Sequence, residues 1–261
     1  MKIFLLGATG NSGRRIMTLA LRRDHEVTAF VRDEAKLLSL VETPIPPNLH
    51  VSVGGISKPA DIAMVMAGHD VAINAAGQVT DGPAFTQLVR TVIDSAIASL
   101  GEGGRFWLFG GAAVLDVPGA HMMGVDLPKV PKVYEAHRAN FNAVLGSPLD
   151  WSMLCPGPMI AGEPTMGLRL SVDEWPVARP AYTYVLPKLA LAFAFKQKLP
   201  ELTISYEDAA EVILDNLSKE GRFSRRRVGV ALPPGLRKHY NKDDVPRSIA
   251  VTIRWGRSHS S

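Results

Sequence analysis

The sequence predicts an α/β fold built on a doubly wound, mostly parallel sheet, and three observations predict it. Short apolar runs alternate with longer segments whose apolar residues recur at helical spacing, which is the pattern of βαβ units. A glycine-rich turn, Gly7-Ala8-Thr9-Gly10-Asn11-Ser12-Gly13, stands between the first apolar run and the first helical segment. The 261 residues, 46% of them hydrophobic, suffice for one sizeable core. Residues 1–261 are therefore expected to form a single domain.

Taken in order, residues 2–6 read as a buried strand. Residues 11–23 read as a helix, with Ile16, Leu19, Ala20 and Arg23 at helical spacing, and 26–31 as a second strand. Asp33 can cap a short helix over 34–40. Three prolines exclude regular structure from 42–48, and a third strand follows at 49–53. The alternation continues with a helix at 61–67, a strand at 70–74, a helix at 85–100 and a strand at 105–109. A helix at 134–145 and a strand at 151–155 come next, and Pro156-Gly157-Pro158 ends the strand.

Residues 160–203 are rich in proline and aromatics and read as an insertion that shapes a pocket, since ligands of doubly wound sheets sit beyond the carboxyl ends of the strands. Within it, Leu189-Ala190-Leu191-Ala192-Phe193-Ala194-Phe195 alternates like a strand yet has the alanine content of a buried helix. It also suits a contact between subunits of a homodimer. Ser205, with Asp208 at the third helical position, predicts a capped helix over 206–217.

Lys and Arg number 29 against 25 Asp and Glu, with both signs mixed, which does not point to nucleic acid. Arg225-Arg226-Arg227 reads as a solvated turn, and residues 254–261 as a frayed tail. The lone Cys155 excludes an internal disulfide and suits a reducing compartment. The first residues lack a signal-peptide pattern, and the longest apolar stretch falls far short of the roughly 18 residues of a membrane span. A cytoplasmic protein without a membrane or nucleic-acid partner is expected. The seven His show no metal-ligand spacing, so no metal is expected.

The glycine turn carries the chemistry. Gly7 permits a tight turn off the strand, Gly10 lets backbone N–H groups approach a pyrophosphate, and Gly13 lets the helix pack on the sheet. The helix start then offers unpaired N–H donors to phosphate. At the end of the second strand, a carboxylate would take a ribose 2′-hydroxyl and a cation a 2′-phosphate. Arg32 stands there, with Arg14 as a second cation and Asp33 as the competing ribose ligand. NADP(H) is thus favoured over NAD(H).

Four motifs, Gly-Ala-Thr-Gly-x-x-Gly at 7–13, Val31-Arg32-Asp33, Asn74-Ala75-Ala76-Gly77 and Leu154-Cys155-Pro156-Gly157-Pro158, resemble the atypical short-chain dehydrogenases of the NAD(P)H-binding, NmrA-like group, which includes flavin reductases. The likeness covers about residues 1–160, and residues 204–217 also look like a helix of that group. It implies a Rossmann-like fold in which Thr9, Asn11 and Ser12 line the pyrophosphate and Ala75, Ala76 and Gly77 lie along the cofactor. Pro156 to Met159 would then sit near the nicotinamide. Gly54-Gly55-Ile56 stands where many relatives hold an Asp against the adenine, so backbone contacts at Ile56 would serve.

Typical short-chain dehydrogenases pair Tyr with Lys four residues on. Here Tyr134 and Arg138 keep that spacing, whereas counting back from Leu149-Asp150-Trp151 puts His137 in the place of the Lys. Arg cannot release a proton, whereas His would add a proton donor near neutral pH. The customary Ser after the fifth strand is replaced by Gly110-Gly111-Ala112. Such a site suits hydride delivery from NADPH to a planar small molecule, a flavin or quinone, with Tyr134 and His137 as the candidate catalytic residues. A non-catalytic sensor of NADP(H) is the alternative. Arg169, Trp175, Arg179, Tyr182 and Tyr184 can stack on the acceptor or simply pack loops. His121, Met122 and Met123 can line it or face solvent, and Cys155 reads as a buried, inert thiol with a redox sensor as the competing reading.

Overall fold

The computed structural model describes residues 1–184 and 188–239. In chain order the elements are β1 (Lys2–Leu6), α1 (Asn11–Arg22), β2 (Glu26–Val31), α2 (Glu34–Leu38), β3 (Leu49–Val53), α3 (Pro59–Met66), β4 (Val71–Asn74) and α4 (Pro83–Leu100). They continue with β5 (Arg105–Phe109), α5 (Glu135–Leu145), β6 (Asp150–Cys155), β7 (Met159–Ile160), β8 (Arg169–Val172), α6 (Lys188–Leu202), β9 (Ile204–Ser205), α7 (Tyr206–Leu214) and β10 (Arg226–Ala231). Eight strands form one sheet in the order β3-β2-β1-β4-β5-β6-β10-β8. Every neighbouring pair is parallel except β10 with β8.

β1 has no polar face, and its alternate residues feed the two sides of the sheet. Phe4 and Leu6 join a core built with α3, α4 and α5, while Ile3 and Leu5 join a second core with α1 and α7. The chain winds outward from β1 to β3, then returns to β4 on the other side of β1. The strand order therefore reverses between β1 and β4, which is where a doubly wound sheet opens a crevice.

Local chemistry explains where the helices differ from their expected bounds. α3 and α4 each begin two residues early, at Pro59 and Pro83, because a proline's missing N–H costs nothing in the first helical turn. α7 carries the expected cap: Asp208 N–H donates to Ser205 Oγ, and Ser205 N–H to Asp208 Oδ2, both at 2.9 Å. The ambiguous run 189–195 is helical, within α6.

One expectation is overturned. Arg225-Arg226-Arg227 is not a solvated turn, because Arg226 opens β10 and Arg227 is buried. The Arg227 guanidinium donates to Val114 O, pairs with Asp116 at 2.7 Å and lies over the Phe141 ring. These partners come from distant segments, so a single basic run gave no hint of them. Residues 254–261 and the Tyr184 side chain lie outside what is described.

Candidate functional site

A cavity of about 1590 Å³ opens across the carboxyl ends of the central strands. One end is made largely of backbone. Gly7, Thr9, Gly10, Asn11 and Ser12 line it from the turn after β1, and Ala75, Ala76 and Gly77 from the turn after β4. The two turns touch. A Cβ at Gly7, whose φ is +90°, would stand 2.6 Å from the backbone of Ala75 and Ala76. Gly13 sits behind the cavity wall, where a Cβ would come within 2.1 Å of Gly7 O. Asn74 braces the second turn, its Oδ1 accepting from Ala76 N–H at 3.1 Å.

Helix α1 starts at this point without a side-chain cap on Gly10, so its first amides face the cavity region unpaired. Amides without carbonyl partners, beside a side-chain-free surface, fit a pyrophosphate. Further along, Arg32 and Lys36 line the cavity together with Ile56. Among the described residues neither cation has an ion-pair partner. Asp33 is committed elsewhere: its Oδ1 accepts from Lys36 N–H at 3.0 Å as the cap of α2, and it does not line the cavity. Arg14 does not line the cavity either; its Nε is buried without a partner. Lys36 was missed from sequence, although its place three residues after a capping Asp puts it beside Arg32.

The other end is assembled from side chains on separate segments. Tyr134, in the 3-10 turn that leads into α5, and His137, in the first turn of α5, both line it. Their rings lie nearly parallel, with centroids 6.2 Å apart, and Phe85 meets His137 edge-on at 5.6 Å. Arg138 turns away to Asp126 and Glu135 and does not line the cavity. Of the two register choices, the structure thus brings His137 to Tyr134 and takes Arg138 out.

Burial weighs against the expectation that His137 supplies a proton near neutral pH. Burial alone pulls its pKa down to about 4, so the ring is neutral at pH 7. Among the described residues its buried Nδ1 has no hydrogen-bond partner. The two glycines after β5 are explained by the same packing. A Cβ at Gly110 would meet Met153 Sδ at 2.7 Å, and one at Gly111 would lie 3.1–3.2 Å from the His137 ring.

The insertion reaches the cavity through α6, while four of its candidate stacking side chains pack elsewhere. Arg169 binds Glu201 and Leu232 O, and Arg179 binds Thr183 together with the carbonyls of Pro118 and Gly119. Trp175 is buried with its ring stacked on Phe195, and exposed Tyr182 donates to Gln197. None of these four lines the cavity, and neither do His121, Met122 or Met123. Instead α6 presents Ala192, Phe195, Lys196 and Leu199, and Pro156 to Met159 complete that side. A helix flanked by sequence of mixed period gave no signal of which face would turn inward. Cys155 is fully buried, and desolvation pushes its thiol up to about 12.

Among the described residues, no group of three His, Cys, Asp or Glu could hold a metal ion. Among them too, no helix is long and apolar enough to cross a membrane.

Comparison with known proteins bears on the family and the fold. Residues 7–183 match the model of the NAD(P)H-binding family. A Burkholderia pseudomallei protein assigned as exported is 27% identical over 88% of this chain and 99% of its own, with a TM-score of 0.66. A Streptococcus pneumoniae protein assigned as an NADH-flavin reductase shares 22% identity, covering 89% of this chain and 100% of that one, with a TM-score of 0.66. A short-chain dehydrogenase/reductase from Veillonella parvula, solved with NADP, has 15% identity over 91% and 96% of the two chains, with a TM-score of 0.65. The last two share the fold.

Proposed function

The chain belongs to the NAD(P)H-binding family, and on that premise we propose that it is an NADPH-dependent oxidoreductase that passes hydride to a planar acceptor such as a flavin or quinone. The observation that carries this reading is the division of one cavity into an amide-lined end bearing Arg32 and Lys36 and an end walled by Tyr134, His137, Phe85 and Phe195. At about 1590 Å³ the cavity exceeds the roughly 300–1,000 Å³ of an ordinary single-ligand pocket, which leaves room for an acceptor beside a dinucleotide.

NADPH, when bound, would supply the hydride. The chain's own residues hold and sort. The first amides of α1 take the pyrophosphate, and Arg32 and Lys36 take a 2′-phosphate that a ribose hydroxyl cannot replace. Asp33, engaged as a cap, does not compete for the ribose. At the opposite end the neutral His137 is a poor imidazolium acid at pH 7, which suits an acceptor whose reduced form can draw its proton from solvent or through the Tyr134 hydroxyl.

The test is the oxidation of NADPH and NADH by purified protein with menadione, FMN and dichlorophenolindophenol as acceptors. Turnover with at least one acceptor, and a preference for NADPH, is expected. Tight NADPH binding with no turnover by any of them would remove the oxidoreductase reading. It would instead favour a sensor of NADP(H), the second reading, which the lack of an ionised proton donor also fits.

A further inference from the structure

His137 is the feature of the cavity that the reading above uses least. It is nine-tenths buried, yet it lines the cavity. The other buried polar side chain there, Asn74, spends its Oδ1 on Ala76 N–H at the cofactor end. The charged residues at the acceptor end, Asp81, Lys129 and Lys196, are all exposed and so belong to the rim. His137 is thus the buried hydrogen-bonding side chain left to meet an acceptor in a wall otherwise formed by Phe85, Ala112, Ala113 and Phe195, with the half-buried Tyr134 stacked beside it.

Its two nitrogens are not equivalent. Nδ1 is enclosed and has no partner, whereas Nε2 lies beside Gly111, which lines the cavity. A buried orphan N–H is rarer than an orphan acceptor, so the enclosed Nδ1 is better left bare and the proton placed on Nε2. Gly111 stands where short-chain dehydrogenases carry the residues after the fifth strand. A side chain there would press on the imidazole at 3.1–3.2 Å. The ring therefore occupies the space that a hydroxyl-bearing side chain would need.

We infer that His137, as a neutral imidazole presenting Nε2–H to the cavity, is the acceptor-gripping group, and that the acceptor is a small apolar quinone whose carbonyl oxygen receives this hydrogen bond. The inference rests on the oxidoreductase reading. One buried donor in an apolar wall matches a ring bearing a carbonyl, whereas a flavin mononucleotide brings a phosphate and several further polar edges that this buried wall does not answer. In the reaction the quinone gains a hydride as the nicotinamide C–H bond breaks, and the displaced electron pair settles on a carbonyl oxygen. The Nε2–H holds that oxygen without giving up its proton. A solvent proton then completes the hydroquinone, and the nicotinamide is left oxidised.

The experiment combines a binding readout with a kinetic one. In protein labelled with ¹⁵N-histidine and saturated with NADP⁺, His137 should show a protonated Nε2 and a bare Nδ1 from pH 8 down to pH 5. Its Nε2–H resonance should move on adding menadione. A proton on Nδ1, an imidazolium at pH 6, or no response to menadione would overturn the inference.

Kinetically, His137→Phe keeps the stacking with Tyr134 and removes the donor, so kcat/KM for menadione should fall on the order of tenfold or more while the NADPH Kd holds. His137→Gln, which restores an N–H, should recover part of the loss. A His137→Phe protein that reduces menadione like wild type, or a wild-type preference for FMN over menadione, would sink this inference alone. Failure of every acceptor with wild-type protein would instead sink the oxidoreductase reading on which it stands.

Discussion

The two ends of the cavity are built by opposite means. The cofactor end comes from one contiguous stretch, β1 through the turn after β4, and its contacts are mainly backbone held in place by glycines that touch one another. The acceptor end draws on residues 79–89, 110–113, 128–137, 156–159 and 192–199, and its character lies in side chains. A phosphate cradle needs only amides at a helix start, which any sequence with the right glycines can make. Recognition of an acceptor needs particular groups brought together from far apart, so this end can change while the other stays.

Breaking the first end should have the largest effect. Gly13→Ala places a Cβ 2.1 Å from Gly7 O, a backbone atom that cannot step aside without moving the turn. Overpacking of this kind costs about 3 kcal/mol, so NADPH affinity should fall on the order of a hundredfold, as read by fluorescence titration. Affinity within threefold of wild type would show that the turn tolerates displacement and that the contrast between the two ends is overstated.

The same substitution made at the other end sharpens the comparison. Gly111→Ala suits its backbone, with φ of −152°, and brings a methyl to 3.1–3.2 Å from the His137 ring. It should leave the NADPH Kd unchanged and lower kcat/KM for menadione about tenfold by turning the imidazole. A drop in NADPH affinity equal to the loss in kcat/KM would mean that the two ends are not separable.

This division also decides how much was legible in the sequence. The strands β1 to β6 and the glycine cradle could be read because each is set by neighbours within a few residues: an apolar run, a cap, a glycine spacing. Arg32 was readable for the same reason, since its place follows from the end of β2. The acceptor end was not. Whether His137 or Arg138 faces the cavity depends on a rotation of about 100° at the start of α5, where Asp126 captures Arg138 from a loop nine residues ahead of α5. Phe195, on the inward face of α6, stacks on Trp175, which lies twenty residues earlier in the sequence. β10 was hidden likewise, because Arg227 is a core residue only once Asp116 and Val114 O are beside it.

A smaller effect probes selectivity within the cofactor end. Arg32→Ala should weaken NADPH binding about tenfold and leave NADH unchanged, since a charged hydrogen bond to phosphate contributes about 1.5–3 kcal/mol, less the screening at an exposed site. Lys36→Ala should do the same more weakly, because a flexible ammonium positions phosphate less well than a planar fork. Equal losses for both dinucleotides in isothermal titration would place these cations on the pyrophosphate instead, and the preference for NADP(H) would go.

The smallest effect is expected at Cys155, which is buried at the end of β6 and does not line the cavity. Burial pushes its thiol up to about 12 from an ordinary 9.0. Between these values the unfolded chain has released a proton that the folded chain retains, so the thiol's contribution to stability is whole below pH 9 and declines as pH rises towards 12. Cys155→Ala should therefore cost about 1 kcal/mol at pH 7, from lost packing, and since wild type loses about 1.4 kcal/mol for each pH unit above 9, the difference should vanish and slightly reverse by pH 10. Urea unfolding at pH 7 and pH 10 measures both, while NADPH affinity and menadione turnover stay at wild-type levels. If iodoacetamide instead modified the folded protein at pH 8 and abolished turnover, the thiol would be accessible and coupled to the cavity, and the core around it would have to be looser than its packing indicates.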